Sequence, residues 1–113
     1  METFNVTKNM LLCDNKQFLI AEAEIKNFLI ISEDKLIILL LDFDHLQSDR
    51  NIFCYGFDQK LKWKIPQPDK LHSDNYYTSV YLSDGVLYAY NINGVEVAIN
   101  KYNGEILDKQ LIK

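Results

Sequence analysis

Two stretches hold the side chains best suited to chemistry: Asp42-Phe43-Asp44-His45 with Asp49 and Arg50 behind it, and the later Asp69, His72 and Asp74. Carboxylate oxygens and imidazole nitrogens are ligands for zinc and related divalent metals, so His45 and His72 on facing loops would suit a metal or small ligand. The spacing argues against it: if a strand runs through Asp42 and Asp44, both carboxylates share one face and His45 points away. No metal or cofactor is therefore expected, and a small-ligand or metal-binding β domain using the rim with His45 and His72 stands as the alternative function.

Nucleophilic chemistry finds even less support. Gly56, Gly85, Gly94 and Gly104 are dispersed as turn residues and do not gather into a phosphate-cradling loop. The serines lack a nucleophile elbow, and Cys13 and Cys54 sit among strand-forming apolar residues, where a reduced thiol behaves as a small hydrophobe. No catalytic residue is assigned, and a non-enzymatic role is expected.

Recognition has better material. Six of the 7 tyrosines fall after residue 75, and tyrosine joins a large apolar ring to a polar tip that suits interfaces. Tyr77 and Tyr81 are the expected exposed pair, because alternation sets them opposite Val80 and Leu82. With Asp42, Asp44 and Asp49 they form the candidate partner-binding set.

A scaffold must position these groups, and its centre is Asn51 to Ile65. Phe53, Tyr55 and Phe57 alternate with Ile52 and Cys54, so both faces are apolar, as in a strand covered on two sides. Leu61, Trp63 and Ile65 then alternate with Lys60, Lys62 and Lys64, the period of a strand with one buried face. Strands are predicted over Asn9 to Cys13, Gln17 to Ile25, Asn27 to Ser32, Lys35 to Phe43, Tyr76 to Leu82, Val86 to Ile92, Val95 to Tyr102 and Glu105 to Ile112. From Gln17 onward Phe18, Ala21, Ile25 and Phe28 also fit a helical stripe, an alternative to the strand over Gln17 to Ile25. Asp44 to Asp49 is predicted as a polar loop, and Pro66-Gln67-Pro68-Asp69 ends the sheet because proline offers no amide hydrogen to a ladder. In such a meander the turns near Asp14, Asp34, Asp58, Asp84 and Asn103 share one rim, and the two long loops share the other. Long loops on a rigid scaffold are the usual place for a binding surface.

The turns recur. Asp14, Asp58 and Asn103 each separate two strands, at spacings of 44 and 45 residues, and a period of roughly that length matches one four-stranded propeller blade. The expected fold is all-β: one domain over residues 1–113, an antiparallel meander of about ten strands in two blade-like sheets resembling an incomplete β-propeller. The stretches Tyr55-Gly56-Phe57-Asp58-Gln59-Lys60-Leu61-Lys62-Trp63 and Asn100-Lys101-Tyr102-Asn103-Gly104-Glu105-Ile106-Leu107 resemble quinoprotein-type propeller repeats. The second copy departs from that pattern at Asp108, where tryptophan would fall, and nothing in the likeness implies quinone binding. The stretch Asn51 to Lys113 is also similar to a group of small bacterial proteins, some of which look like immunity proteins of polymorphic toxin systems.

Charge and composition bound the partners. The chain has 113 residues and net charge −4, with five basic and nine acidic side chains in residues 1–50 and seven of each in the rest. That distribution argues against a nucleic-acid footprint and leaves an acidic surface for a basic partner. The apolar run Leu36 to Leu41 is far short of the roughly 20 residues a membrane helix needs, and the first residues lack an export-signal pattern. A cytoplasmic location without membrane contact is expected. The resemblance, small size and local acidity together imply an immunity protein that binds and neutralises a basic toxin domain. Unpaired edge strands leave a homodimer through an edge as a further expectation.

Overall fold

The computed structural model describes residues 3–66 and 75–111. Its elements follow from turn chemistry as much as from apolar patterning. Asp14 and Asn15 both lie at positive φ (50° and 65°), as do Asp84 and Gly85 (50° and 78°), the backbone that two-residue hairpin turns demand. Around such turns run β1 (Phe4–Thr7), β2 (Met10–Cys13), β3 (Lys16–Ile20), β4 (Ile25–Ile31), β5 (Leu36–Leu41), β6 (Ile52–Gly56), β7 (Leu61–Lys64), β8 (Tyr77–Ser83), β9 (Val86–Asn91), β10 (Val95–Ile99) and β11 (Ile106–Leu111). The single helical element among the described residues, α1 (Phe43–Leu46), is one turn long.

The strands pair antiparallel with their sequence neighbours into three sheets, β1-β2-β3, β4-β5-β6-β7 and β8-β9-β10-β11. The all-β antiparallel expectation holds, and the sheets do not close a ring. Three sheets stand in place of the two expected, and the first contains Phe4–Thr7, where no strand is predicted, paired with Met10–Cys13. The Gln17 to Ile25 segment is strand only to Ile20, with no helix in it. Asp44 to Asp49 differs from the loop expected, since its first residues belong to α1.

The second sheet is the middle layer. All six residues of β5 are buried: Ile38 and Leu40 join Ile52, Cys54, Trp63, Val80, Leu87 and Ile99 in one core, while Ile37, Leu39 and Leu41 join Leu11, Leu19 and Phe53 in the other. Each such side chain contributes about 1.5–3 kcal/mol relative to exposure, so this strand anchors both layers. Cys54 is fully buried in the core that the second and third sheets share, where burial pushes its thiol up to about 12, and neither cysteine forms a disulfide.

Two further locks join the second and third sheets. Trp63 donates its indole N–H to the carbonyl of Lys101 at 2.8 Å and lies flat on Gly104, where a Cβ would sit 2.6 Å from the ring. At the same end Lys101 Nζ meets Asp34 at 2.8 Å, and the Tyr102 hydroxyl donates to the other Asp34 oxygen at 2.9 Å. Both hydrogen bonds, that of Lys101 foremost, hold the Asp34 carboxyl below its ordinary range.

Candidate functional site

At the opposite end the chain leaves β5, turns through α1 and later re-enters the sheet at β8, and there a cleft of about 240 Å³ opens between the second and third sheets. Asp42, Phe43 and Asp44 form one wall, Tyr76, Tyr77 and Thr78 the other, and Lys26 reaches in from β4. The rings of Phe43 and Tyr76 stack at 4.2 Å with planes 14° apart. Such stacking is worth about 0.5–1.5 kcal/mol beyond burial and ties the two walls together.

Why the cleft stays open follows from the backbone. The Asp42 amide is held by the Glu24 carbonyl at 2.8 Å, and Gln47 caps the short helix in the left-handed region, its side-chain amide donating to the Asp44 carbonyl. The Asp42 side chain makes no capping hydrogen bond, and the half-buried residue lines the cleft. Asp44 is exposed beside it. Below them Asn51, buried, donates to the carbonyls of Leu41 at 3.0 Å and Tyr77 at 2.9 Å and accepts from the Tyr77 amide at 2.9 Å. One side chain thus replaces a missing strand between two sheets.

The candidate residues separate accordingly. Asp42, Asp44 and Tyr77 line the cleft, and Asp49 lies near enough for its charge to add to burial in pushing the Tyr77 hydroxyl up to about 12. Tyr77 is not exposed as expected: it keeps only 5% of its surface. A bulge at Thr78 is the cause, since Tyr77 pairs with Asn91 but Ser79 with Tyr90, and one extra residue reverses the faces. Tyr81 is exposed as expected but stands outside the cleft, on the outward face of the third sheet, stacked on Tyr88 with centroids 5.3 Å apart and donating to the Glu96 carboxylate.

His45 Nδ1 accepts a hydrogen bond from the Glu24 amide at 3.2 Å, which occupies one imidazole nitrogen and fixes the ring against the β3–β4 connection. His72, Asp69 and Asp74 lie outside the described residues, and among those described no three His, Cys, Asp or Glu side chains gather as a metal cluster. Sequence reasoning missed Phe43, Tyr76, Lys26 and Asn51. The aromatic pair had a signal, since each residue borders one of the long loops; Asn51 had one too, as an amide opening an otherwise apolar buried strand.

Among the described residues beside the cleft, Asp42, Asp44 and Asp49 are acidic, Lys26 pairs with Glu24 at 3.9 Å, and the Arg50 guanidinium is engaged with the Ile65 carbonyl at 3.0 Å. A cationic side chain entering the cleft would meet Asp42, Asp44 and the aromatic pair together, combining ion pairing with cation–π attraction.

Comparisons add a family and a fold. A family model described as "Domain of unknown function (DUF7957)" matches residues 1–111. No curated protein matches the chain. Among solved structures, the crystal structure of the computationally designed Ika8 protein overlays 97% of this chain at TM-score 0.62 and 9% identity. The overlay covers 36% of that longer protein, so this chain spans about a third of its length, and the likeness is one of fold alone.

Proposed function

We propose, for a chain that belongs to the DUF7957 family, a non-catalytic protein-interaction role: an immunity protein that binds a basic toxin domain and neutralises it. The observation that carries this reading is the rim cleft, which Asp42 and Asp44 line together with the stacked Phe43 and Tyr76. Aromatic area flanked by acids suits an inserted arginine or lysine, and the surrounding negative charge would speed encounter with a basic surface. The sheets beneath are read as propeller-type blades in an incomplete arc, a stiff platform with its chemistry confined to the rim. In this reading the chain works in the bacterial cytoplasm, beside the toxin it restrains.

The test is coexpression with the product of the adjacent open reading frame. Rescue of growth from a toxic neighbour, lost or weakened by Asp44→Lys together with Asp42→Asn, is the expected result. Asp44 is exposed and Asp42 half-buried, so folding should survive both changes. A neighbour without toxicity, or rescue and salt dependence untouched by the two substitutions, overturns the reading.

A further inference from the structure

The lining of the rim cleft narrows which cation it suits. At about 240 Å³ the cleft falls short of the roughly 300–1,000 Å³ that encloses a drug-sized ligand, so its scale is that of one side chain. Apolar and charged surfaces meet there. Leu40 and Leu41 supply apolar contact, while Phe43 and Tyr76, each half-buried, leave part of their stacked rings uncovered. Asp42 and Asp44 complete the acidic part of the lining, and neither carboxylate is in an ion pair or a hydrogen bond with any described residue. Their charge is left to an incoming group.

The two basic side chains would use such a lining differently. A guanidinium is planar and weakly hydrated, stacks on aromatic rings, and holds enough N–H donors in a fixed fork to engage both carboxylates. An ammonium is a compact, strongly hydrated charge with no plane to lay on a ring, so losing water on entry costs it more. Lys26 sharpens the distinction. It lines the same cleft and pairs with Glu24 at 3.9 Å, both side chains about half exposed, so its positive charge opposes any cation that enters. Charge alone is a weak attraction beside Lys26, and ring contact with directed hydrogen bonds must supply the rest.

We infer that the cleft is an arginine pocket: the guanidinium of one arginine on the partner enters it, covers the Phe43 and Tyr76 pair, and donates to Asp42 and Asp44, whereas lysine is held more weakly. This inference rests on the toxin-binding reading for the partner that presents the arginine, and goes beyond it in naming the group that the cleft selects.

Titration of the wild-type chain with acetyl-arginine amide and, separately, with acetyl-lysine amide, at one fixed ionic strength and followed by NMR, tests it. The expected result is a saturable shift of the Phe43 and Tyr76 ring resonances in the millimolar range of the arginine probe, with affinity for the lysine probe several-fold weaker. Asp42→Asn together with Asp44→Asn should weaken the arginine response, and Lys26→Gln should strengthen it. Absence of a saturable response to the arginine probe, or equal affinity for the two probes, overturns the proposal, and that comparison requires no variant to fold. Arginine affinity that ignores the two aspartates, or that does not rise in Lys26→Gln, overturns it as well. The two readings fail separately. Growth rescue from a toxic neighbour without any arginine preference sinks this inference alone, whereas arginine binding beside a harmless neighbour sinks the toxin reading and leaves the selectivity of the pocket standing.

Discussion

The Asn51 side chain and the Tyr77 main chain form a two-way bond, amide to carbonyl and amide to carboxamide oxygen, at 2.9 Å in each direction across the boundary between the second and third sheets. Asn51 is 1% exposed and Tyr77 5%, so water cannot replace the bond. The same carboxamide holds the Leu41 carbonyl, one residue before Asp42. The wall and the floor of the cleft are therefore set by one side chain.

Asn51→Ala should strand buried groups of Tyr77 and Leu41, at a cost of about 3 kcal/mol given roughly 1–3 kcal/mol per unsatisfied group. Asn51→Asp keeps the shape but removes both donors and buries a carboxylate near two carbonyls, and it should cost at least as much near neutral pH. Urea unfolding of the two variants, with an unchanged m-value, checks this. Wild-type midpoints would show that the pin carries no stability.

Gly104 and Trp63 allow a second prediction. Gly104 lies at φ +81° with the indole where a Cβ would stand, so Gly104→Ala meets backbone strain of about 1–2 kcal/mol and overpacking of about 1–3 kcal/mol. Trp63→Leu should itself destabilise by leaving a void and losing the bond to Lys101. The double variant should recover part of the Gly104→Ala cost, since the ring that forbids the methyl is gone. Strict additivity in a double-mutant cycle would show that the contact is not the cause.

The contrast between these two pins and the rest of the fold shows what could be read from the sequence. β5 and β6 were legible because apolar residues fill both faces, a pattern only a middle sheet requires, and the turns at Asp14 and Asp84 were legible because their residue types tolerate positive φ. β1 was not: Phe4 and Val6 are too short a run, and it turns through Lys8, an unremarkable residue held at φ 55°. Bulges hid the rest. An extra residue at Lys62 turns Leu61 toward Tyr55 and leaves it 46% exposed, although sequence alternation put it with Trp63. Thr78 does the same for Tyr77, so the sequence pattern named Asp42 and Asp44, which line the cleft, but set Tyr77 on the wrong face. Bulge positions depend on strand pairing, which a linear pattern does not encode.

Acid should loosen the end of the molecule held by Asp34. Its carboxyl is held below the ordinary 3.8 by the hydrogen bond from Lys101 first and that from Tyr102 second. A depressed carboxyl contributes stability that is present above its unfolded value and is lost as pH falls through the folded one, so the loss belongs below about pH 4. Lys101, raised above 10.5 by the same contact, gives the opposite limb, with stability lost as pH rises through its raised value. Asp34→Asn should flatten the part of both limbs that this contact supplies. Stability against pH for the two proteins, measured by chemical unfolding, decides it: identical slopes below pH 4 would remove Asp34 as the cause.

Tyr77 and Tyr81 are both pushed up to about 12, for different reasons. Burial leads for Tyr77, with the Asp49 charge adding to it, whereas Tyr81 is raised chiefly by its hydrogen bond to Glu96. Glu96→Gln should therefore return Tyr81 toward 10 and leave Tyr77 where it is. A raised phenol stabilises the fold up to its unfolded value near 10 and loses that contribution as pH climbs through the folded value, so alkaline unfolding should begin between them. Spectrophotometric titration of phenolate absorbance should show one tyrosine fewer ionising late in Glu96→Gln than in wild type. An unchanged titration would mean that the Glu96 contact is not made in solution, so that Tyr81 is not anchored to Glu96 on the outward face of the third sheet.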